Sequence, residues 1–262
     1  MTVLRFLALA LALALPAAAP AGPIDKRVRD AGAVRVCIWP DYYGITFRSP
    51  RNQQLMGIDI DLSREFAKDL KAQLQYVDSS FATLVDDLAG DKCDVAMFSV
   101  AVTPQREKVL RFSRPYLRGG IYAITLKSSR TIRAWDDIDR AGVNVAVQAG
   151  TFMEPVMAAS LKAAKLVSIK PPLTREGELE AGRVDVFMTD FPYSRRLLDN
   201  ADWAKLVSPS KPFNPVPYAY AVKPGDEEWL KAVDAFVERI QKDGRLLAAA
   251  KRHGLAEIVE GR

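Results

Sequence analysis

Short apolar runs alternate along this chain with segments of helical periodicity. Runs at residues 34–38, 73–77 and 95–102 predict strands, and the last of them is almost wholly apolar, as a strand covered on both faces must be. Amphipathic segments at residues 57–71 and 79–89 predict helices between these strands. The order strand, helix, strand, helix, strand indicates an α/β fold built on a parallel, doubly wound sheet.

The second half of the chain repeats this order without repeating the sequence. After residue 120 the pattern predicts strands at residues 121–126, 143–147, 165–169 and 185–189, with helices at residues 151–161 and 174–181. No low-complexity linker separates the halves, so we expect two lobes joined by strands and not by a flexible tether.

The end of the chain is expected to return to the first lobe. Residues 215–222 have the pattern of a second crossing strand, and closing helices are predicted at residues 229–242 and 246–253. The predicted lobes are lobe 1, residues 22–119 with 221–262, and lobe 2, residues 120–220.

The amino terminus has the pattern of an export signal. Arg5 is followed by an apolar run at residues 6–15, then by Pro16 and small residues up to position 21. This run is too short to anchor the chain in a bilayer, and no later segment has about 18 consecutive apolar residues. We therefore expect residues 1–21 to be a signal peptide and the mature protein to be soluble outside the cytoplasm.

Composition and charge argue against nucleic-acid, metal and cofactor chemistry. The chain has 37 Lys and Arg residues against 32 Asp and Glu, a net charge of +5, and its basic residues form no continuous run. The one histidine, His253, falls near the end of a predicted helix. The sequence shows no metal-ligand spacing, phosphate-binding glycine loop or Ser-His-Asp arrangement. We expect no nucleic-acid partner, no metal and no cofactor.

The two cysteines, Cys37 and Cys93, each stand at the edge of a predicted strand. In an oxidising compartment they can form one disulfide, provided that the two strands are neighbours in the sheet. The alternative is a pair of free, buried thiols.

Arg106 is a candidate ligand-binding residue. Thr103-Pro104 ends the strand at residues 95–102, because proline fixes φ and offers no backbone donor. Arg106 therefore lies just past the carboxyl end of a strand, the edge of an α/β sheet where ligands bind. Its planar guanidinium suits a carboxylate. The alternative is a surface arginine paired with an acid such as Glu107.

Five ordered segments carry a resemblance to a known family. These segments are Gly57-Ile58-Asp59-Ile60-Asp61-Leu62, residues 94–106, residues 112–116, Val147-Gln148-Ala149-Gly150-Thr151 and residues 182–190. Together they resemble bacterial extracellular solute-binding protein family 3, the periplasmic amino-acid receptors of ABC importers. The resemblance implies a two-lobed, type II periplasmic-binding-protein fold that closes on its ligand in a cleft. It also implies a monomer in the periplasm that delivers an amino acid or related carboxylate to an inner-membrane ABC permease.

The resemblance assigns roles to three residues. Arg106 matches the arginine that clasps the ligand α-carboxylate, Thr151 the helix-start residue whose N–H joins it, and Asp190 the carboxylate that pairs with the α-ammonium. A helix amino terminus favours an anion, and an ionised Asp offers only acceptors to a cation. The alternative role for Asp190 is a helix cap, because Phe191-Pro192 follows it.

The remaining expected ligand contacts are mostly aromatic. Further binding residues matched to the family are Trp39, Tyr42, Phe81, Phe98 and Ser99. Without the resemblance, Tyr42 and Phe81 would be read as ordinary core or loop aromatics. The chain departs from polar amino-acid receptors at Trp39, where an acid is common, and at Phe98 and Ala101, where hydroxyl residues are common. These departures favour a bulky or partly apolar ligand that bears a carboxylate.

An enzymatic alternative comes from a second, weaker resemblance. Val36-Cys37, Asp41-Tyr42 and residues 138–143 resemble periplasmic cyclohexadienyl dehydratase, a carbon-oxygen lyase of the same fold. In that case Glu154 would be the general acid, acting beside Arg106. The alternative is that Glu154 complements the dipole in the first turn of a helix.

Overall fold

The structure, a computed structural model, describes residues 23–261. The predicted signal peptide at residues 1–21 lies outside this range. Among the helices of the described range, none combines the length and the hydrophobicity that crossing a bilayer needs.

Four helices and seven strands make up the described chain as far as Gly119. These elements are α1 (Pro23–Ala31), β1 (Ala33–Ile38), β2 (Phe47–Arg48), β3 (Leu55–Met56), α2 (Ile58–Asp69), β4 (Gln73–Asp78), α3 (Leu84–Ala89), β5 (Val95–Ala101), α4 (Pro104–Glu107), β6 (Arg111–Phe112) and β7 (Leu117–Gly119).

Further helices and strands continue to the end of the described chain. The elements are β8 (Ile121–Leu126), a 3₁₀ turn (Trp135–Asp137), β9 (Asn144–Gln148), α5 (Met153–Ser160), β10 (Lys165–Ile169), α6 (Arg175–Glu180), β11 (Val186–Asp190), α7 (Phe191–Leu198), β12 (Ala204–Val207), β13 (Val216–Val222), α8 (Glu227–Lys242), α9 (Arg245–Arg252) and a second 3₁₀ turn (Ala256–Ile258).

The strands form two larger sheets, and a small third sheet pairs β2 with β3. The first sheet has the order β4-β1-β5-β13-β6, with β7 also on β13, and the second has the order β10-β9-β11-β8-β12. In each, three neighbouring strands run parallel: β4, β1 and β5 in one, and β10, β9 and β11 in the other. β13 and β8 join these sets antiparallel, because no crossover helix precedes either strand.

The chain passes between the two sheets twice. The first crossing is short, since only Gly120 separates β7 from β8. The second lies between β12 and β13, and β13 pairs with strands of the first sheet from Val216 onwards. The boundary expected at residue 220 thus falls inside β13, and we now propose that lobe 2 ends before Val216.

The core of the first sheet region follows from the sequence pattern. β5 is buried at every position, as its apolar run predicts. Phe66 of α2 packs against Trp229 and Phe236 of α8, with ring centroids 5.8 and 4.9 Å apart. The closing helices therefore cover the sheet that contains the amino-terminal strands.

Cys37 and Cys93 form a disulfide, with their Cα atoms 5.6 Å apart. Cys37 lies in β1 opposite Ala96 of β5, so the two strands are neighbours. The bond links β1 to the turn that leads into β5.

Candidate functional site

A cavity lies between the two sheets, at the carboxyl ends of several strands. About 320 Å³ of space there is free of protein atoms, and part of that space is open to solvent. The lining residues are Trp39, Tyr42, Phe81, Ser99, Ala101, Thr151, Phe152, Met153, Arg175, Thr189, Asp190, Tyr193 and Tyr218. A cavity at the ends of β5, β9 and β11, shared by two sheets, is the position where open α/β folds bind ligands.

Aromatic rings form one wall of this cavity. The ring centroid of Trp39 lies 5.3 Å from that of Tyr42 and 5.4 Å from that of Phe81. Phe98 does not line the cavity but is fully buried behind Phe81, 5.1 Å away. Edge-to-face contacts of this kind hold the rings in fixed orientations, so the wall offers a rigid apolar surface.

Arg106 lines an outer groove that meets this cavity at Thr151 and Phe152, and it bridges the two sheets. Its guanidinium donates to the carbonyl of Ala101 in β5 and to the carbonyl of Gly150 after β9, both at 2.9 Å. The carbon Cζ lies 5.4 Å from the ring centroid of Phe81. The Thr103 hydroxyl accepts from the Arg106 N–H at 3.3 Å, which fixes the start of α4.

The environment of Arg106 favours an incoming anion. Burial lowers the pKa of Arg106 to about 10, because the guanidinium loses water without gaining a carboxylate. Both of its hydrogen bonds go to neutral carbonyls, whereas bonds to a carboxylate are about twice as strong.

Thr151 lines the cavity, but helix α5 begins two residues later, at Met153. The expectation that Thr151 opens a helix is therefore wrong. Gly150, at φ +77°, turns the chain here, and Thr151 closes a tight turn. Both its N–H and its hydroxyl donate to the Gln148 carbonyl, at 3.2 and 2.8 Å. Its N–H must leave this bond, or share it, to reach a ligand.

Asp190 ends β11 and is fully inside the cavity wall. One carboxylate oxygen accepts from the Tyr193 N–H at 3.0 Å, and the other accepts from the Tyr42 hydroxyl. Asp190 is therefore the N-cap of α7 as well as a cavity residue. Burial raises the pKa of Asp190, although the bonds from Tyr42 and Tyr193 oppose that rise.

Ser99 lines the cavity with its backbone in a left-handed conformation, φ +49°. Its N–H and hydroxyl donate to the carboxylate of Asp59, at 2.9 and 3.3 Å. The hydroxyls of Tyr116 and Tyr220 donate to the same carboxylate, at 2.5 and 3.0 Å. Ser99 thus shapes the cavity wall through a buried network and does not point its hydroxyl at a ligand.

Glu154 lies outside this cavity. Its carboxylate accepts from the Gly150 N–H at 2.9 Å and lines a separate outer groove between α4 and α5, together with Arg106. This contact matches the interpretation of Glu154 as a first-turn acid.

Arg175 is a cavity residue that the sequence analysis missed. It begins α6, is 3% exposed, and donates to the Met188 carbonyl at 2.8 Å. Its Cζ lies 4.6 Å from the ring centroid of Tyr193 and 5.1 Å from that of Phe187. The sequence contained one indication of this role. A cation in the first turn of a helix is unfavourable because it opposes the helix dipole, so an arginine at this position suggests a function other than helix stability.

Comparisons with known proteins agree with this fold. The sequence model of the bacterial extracellular solute-binding proteins, family 3, matches residues 34–256. Cyclohexadienyl dehydratase of Pseudomonas aeruginosa is 31% identical over 221 residues, which cover 84% of this chain and 82% of that protein. L-cystine-binding protein TcyJ of Escherichia coli is 24% identical over 236 residues, 90% of this chain and 87% of that protein.

A solved structure shows the same architecture. The ancestral amino acid-binding protein AncCDT-1, a precursor of cyclohexadienyl dehydratase, superposes with a TM-score of 0.78 at 28% identity, covering 87% of this chain and 97% of that one. The fold is the type II periplasmic-binding fold of these proteins. The chain belongs to the bacterial extracellular solute-binding proteins, family 3.

Proposed function

We propose that this solute-binding protein captures an amino acid or a related small carboxylate in the cavity and delivers it to an inner-membrane ABC permease. The observation that carries the proposal is the position of Arg106, whose guanidinium joins the Ala101 carbonyl of one sheet to the Gly150 carbonyl of the other. A ligand carboxylate at this point would engage both sides of the cleft at once. Its binding would therefore favour closure.

The charge pattern supports a ligand with separated anionic and polar ends. Arg106 stands in the groove that meets the cavity at Thr151 and Phe152, and Asp190 lies in the cavity wall, where it can accept from a ligand ammonium if the Tyr42 hydroxyl turns away. Closure excludes water, which strengthens each of these contacts. The aromatic wall would hold the apolar part of the ligand between them.

The cellular setting that we propose is the periplasm, with the protein acting as a monomer. The expected signal peptide at residues 1–21 would direct export, and the Cys37–Cys93 disulfide suits an oxidising compartment. The ABC permease is the proposed partner.

A dehydratase-like enzyme is the second candidate, favoured by the 31% identity to cyclohexadienyl dehydratase. The Glu154 carboxylate already accepts from the Gly150 N–H, in the outer groove that Arg106 also lines. A general acid has to reach the substrate, normally within about 3.2 Å of the atom that it protonates or through one water. We therefore propose that the protein binds its ligand without converting it.

Two measurements on the mature protein test this choice. Native mass spectrometry would detect the small molecule that copurifies with the protein, and we expect an unchanged amino acid or carboxylate. Incubation with cyclohexadienyl carboxylates would detect turnover, and we expect none. Catalytic turnover that Glu154→Gln abolishes, while the variant remains folded, would replace the receptor with the enzyme.

A further inference from the structure

Three buried polar atoms in the cavity wall lack hydrogen-bond partners within residues 23–261: Nε of Arg175, Oγ1 of Thr189 and the hydroxyl of Tyr218. Arg175 and Thr189 belong to neighbouring elements, since Thr189 lies in β11 and α6 leads to that strand. Thr189 is 1% exposed, so bulk water does not replace the missing bond.

Unpaired polar atoms at such depth are uncommon, because leaving a buried donor unsatisfied costs about 1 to 3 kcal/mol. Other cavity residues use their groups internally: Thr151 bonds to Gln148, Ser99 to Asp59, and Asp190 to Tyr42. Arg175 Nε and Thr189 Oγ1 are therefore free polar groups on the side of the second sheet, whereas the third free group, the Tyr218 hydroxyl, belongs to β13 of the first sheet.

Among the described residues, Arg175 has no hydrogen bond to a carboxylate, although its charge acts on the buried carboxylate of Asp190 and opposes the rise of that group's pKa. Its partners are the neutral Met188 carbonyl and the faces of the Tyr193 and Phe187 rings. The nearest paired carboxylate is that of Glu176, 3.9 Å from the guanidinium, and it already accepts from the Tyr193 hydroxyl at 2.7 Å. A ring face attracts a cation but offers no lone pair to Nε. A ligand oxygen would supply the hydrogen-bond acceptor that Nε of Arg175 lacks.

We propose that Arg175 and Thr189 bind a second oxygen acceptor on the ligand, separate from the carboxylate assigned to Arg106. The inference rests on the proposed capture function and narrows its ligand class. The preferred ligand is a small acid whose apolar middle bears a second carboxylate or carbonyl oxygen at its far end. The positive charge of Arg175 disfavours ligands whose side chain is itself cationic.

The aromatic wall explains why the two oxygen groups should be joined by an apolar part. Trp39, Tyr42 and Phe81 line the same cavity as the buried groups of β11, and the Phe81 ring also contacts the guanidinium of Arg106. Rings in this position favour a flat or aliphatic segment.

Matched ligand pairs test this specificity by calorimetry on the mature protein. L-Glutamate and L-norvaline differ in the second carboxylate, as do 4-carboxy-L-phenylalanine and L-phenylalanine. We expect the oxygen-bearing member of at least one pair to bind at least about tenfold more tightly than its partner, since a hydrogen bond to a charged group contributes about 1.5 to 3 kcal/mol. L-Lysine should bind more weakly than that member.

Two variants connect the difference to these residues. Arg175→Gln should remove the preference within the pair, whereas exposed Arg195→Gln on α7 makes the same charge change and should leave the preference intact. Thr189→Val keeps the charge and the shape, and it should reduce the preference without lowering the melting temperature, because the hydroxyl has no partner to lose. It also provides a test if Arg175→Gln does not fold.

The outcomes separate this inference from the capture function. Equal binding within both pairs, tight binding of L-lysine, or a preference that survives in the folded variants would overturn the role of Arg175 and Thr189. In each of these cases the protein would still bind an amino acid, so the capture function would stand. If no member of the panel binds and no carboxylate copurifies, both proposals fail.

Discussion

At the scale of single residues, the guanidinium of Arg106 has the most direct consequence for binding. It has two hydrogen bonds to neutral carbonyls and no carboxylate partner within the described part of the chain. A ligand carboxylate would replace these contacts with charge-assisted bonds. Arg106 is therefore the first residue to substitute in a test of ligand binding.

We predict that Arg106→Ala weakens ligand binding by about 2 to 5 kcal/mol, because the carboxylate would remain in the closed cleft without its partner. Titration calorimetry with the copurified ligand measures the loss. Arg106→Lys is the matched control: it keeps the charge but loses the planar fork, so its affinity should fall between those of the wild type and Arg106→Ala. Undiminished binding by Arg106→Ala would contradict the assignment.

Asp59 is the second residue with a distinct prediction. Its carboxylate is fully buried, and burial raises its pKa to about 6, although bonds from Tyr116, Tyr220 and Ser99 oppose the rise. In the unfolded chain the pKa of an Asp is about 3.9. Between these values the folded state binds more protons, so the contribution of Asp59 to stability is fully present below about pH 4 and decreases as the pH rises through 6.

We predict that Asp59→Asn removes this decrease, which for a shift of about 2 units amounts to roughly 3 kcal/mol. Urea unfolding at pH 4, 5, 6 and 7 should show the difference in free energy of unfolding, variant minus wild type, moving in favour of the variant as the pH rises. Exposed Asp86→Asn on α3 is the control and should show a constant difference. A constant difference for Asp59→Asn would disprove the coupling.

Most of the residues that line the cavity on the aromatic side could be predicted from the sequence. The family motifs and the strand ends pointed to Trp39, Tyr42, Phe81, Ser99, Thr151 and Asp190, and the structure places all six in the cavity wall. Arg175 was missed because it lies outside the five family segments. Thr189 was missed because the segment at residues 182–190 assigns a binding role to Asp190 alone. Their contribution depends on which polar atoms stay unpaired after folding, and a sequence pattern does not contain that information.

At the scale of elements, strand prediction worked best where burial is continuous. β5 and β8 follow the apolar runs at residues 95–102 and 121–126 closely. No helix was predicted over the range of α7, although its start was: the alternative role of Asp190 as a helix cap before Phe191-Pro192 is the one that the structure shows beside its place in the cavity wall. The antiparallel entry of β8 and β13 was also not predicted, because strand direction depends on how the chain crosses between sheets and not on local periodicity.

The disulfide gives the prediction that belongs to this scale. Cys37 and Cys93 are 56 positions apart, and closing a loop of that length restricts the unfolded chain by roughly 4 kcal/mol. We predict that dithiothreitol lowers the free energy of unfolding of the wild type by an amount of this order, measured by urea titration. The double variant Cys37→Ala/Cys93→Ala should be less stable and unaffected by the reductant. A wild type whose stability does not change on complete reduction would contradict the prediction.

At the scale of the whole molecule, closure depends on how closely the two sheets approach each other at Gly150. A Cβ atom at this position would lie 2.6 Å from the backbone nitrogen of Ala82 and 2.7 Å from the carbonyl carbon of Phe81. Gly150 follows β9 of the second sheet, whereas Phe81 and Ala82 follow β4 of the first. These backbone atoms belong to opposite sides of the cleft, so a side chain at Gly150 would hold the lobes apart.

We predict that Gly150→Ala folds but closes poorly. Its ligand affinity should fall at least about tenfold, and saturating ligand should not reduce its radius of gyration in X-ray scattering as it does for the wild type. Gly142→Ala is the matched control, because Gly142 has a similar φ of +87° but no atom within 4 Å of the added Cβ. Both variants carry the strain of alanine at positive φ, so a small loss of stability is expected in each. If Gly142→Ala lost as much affinity as Gly150→Ala, backbone strain and not the contact across the cleft would explain the effect, and closure would not depend on this approach.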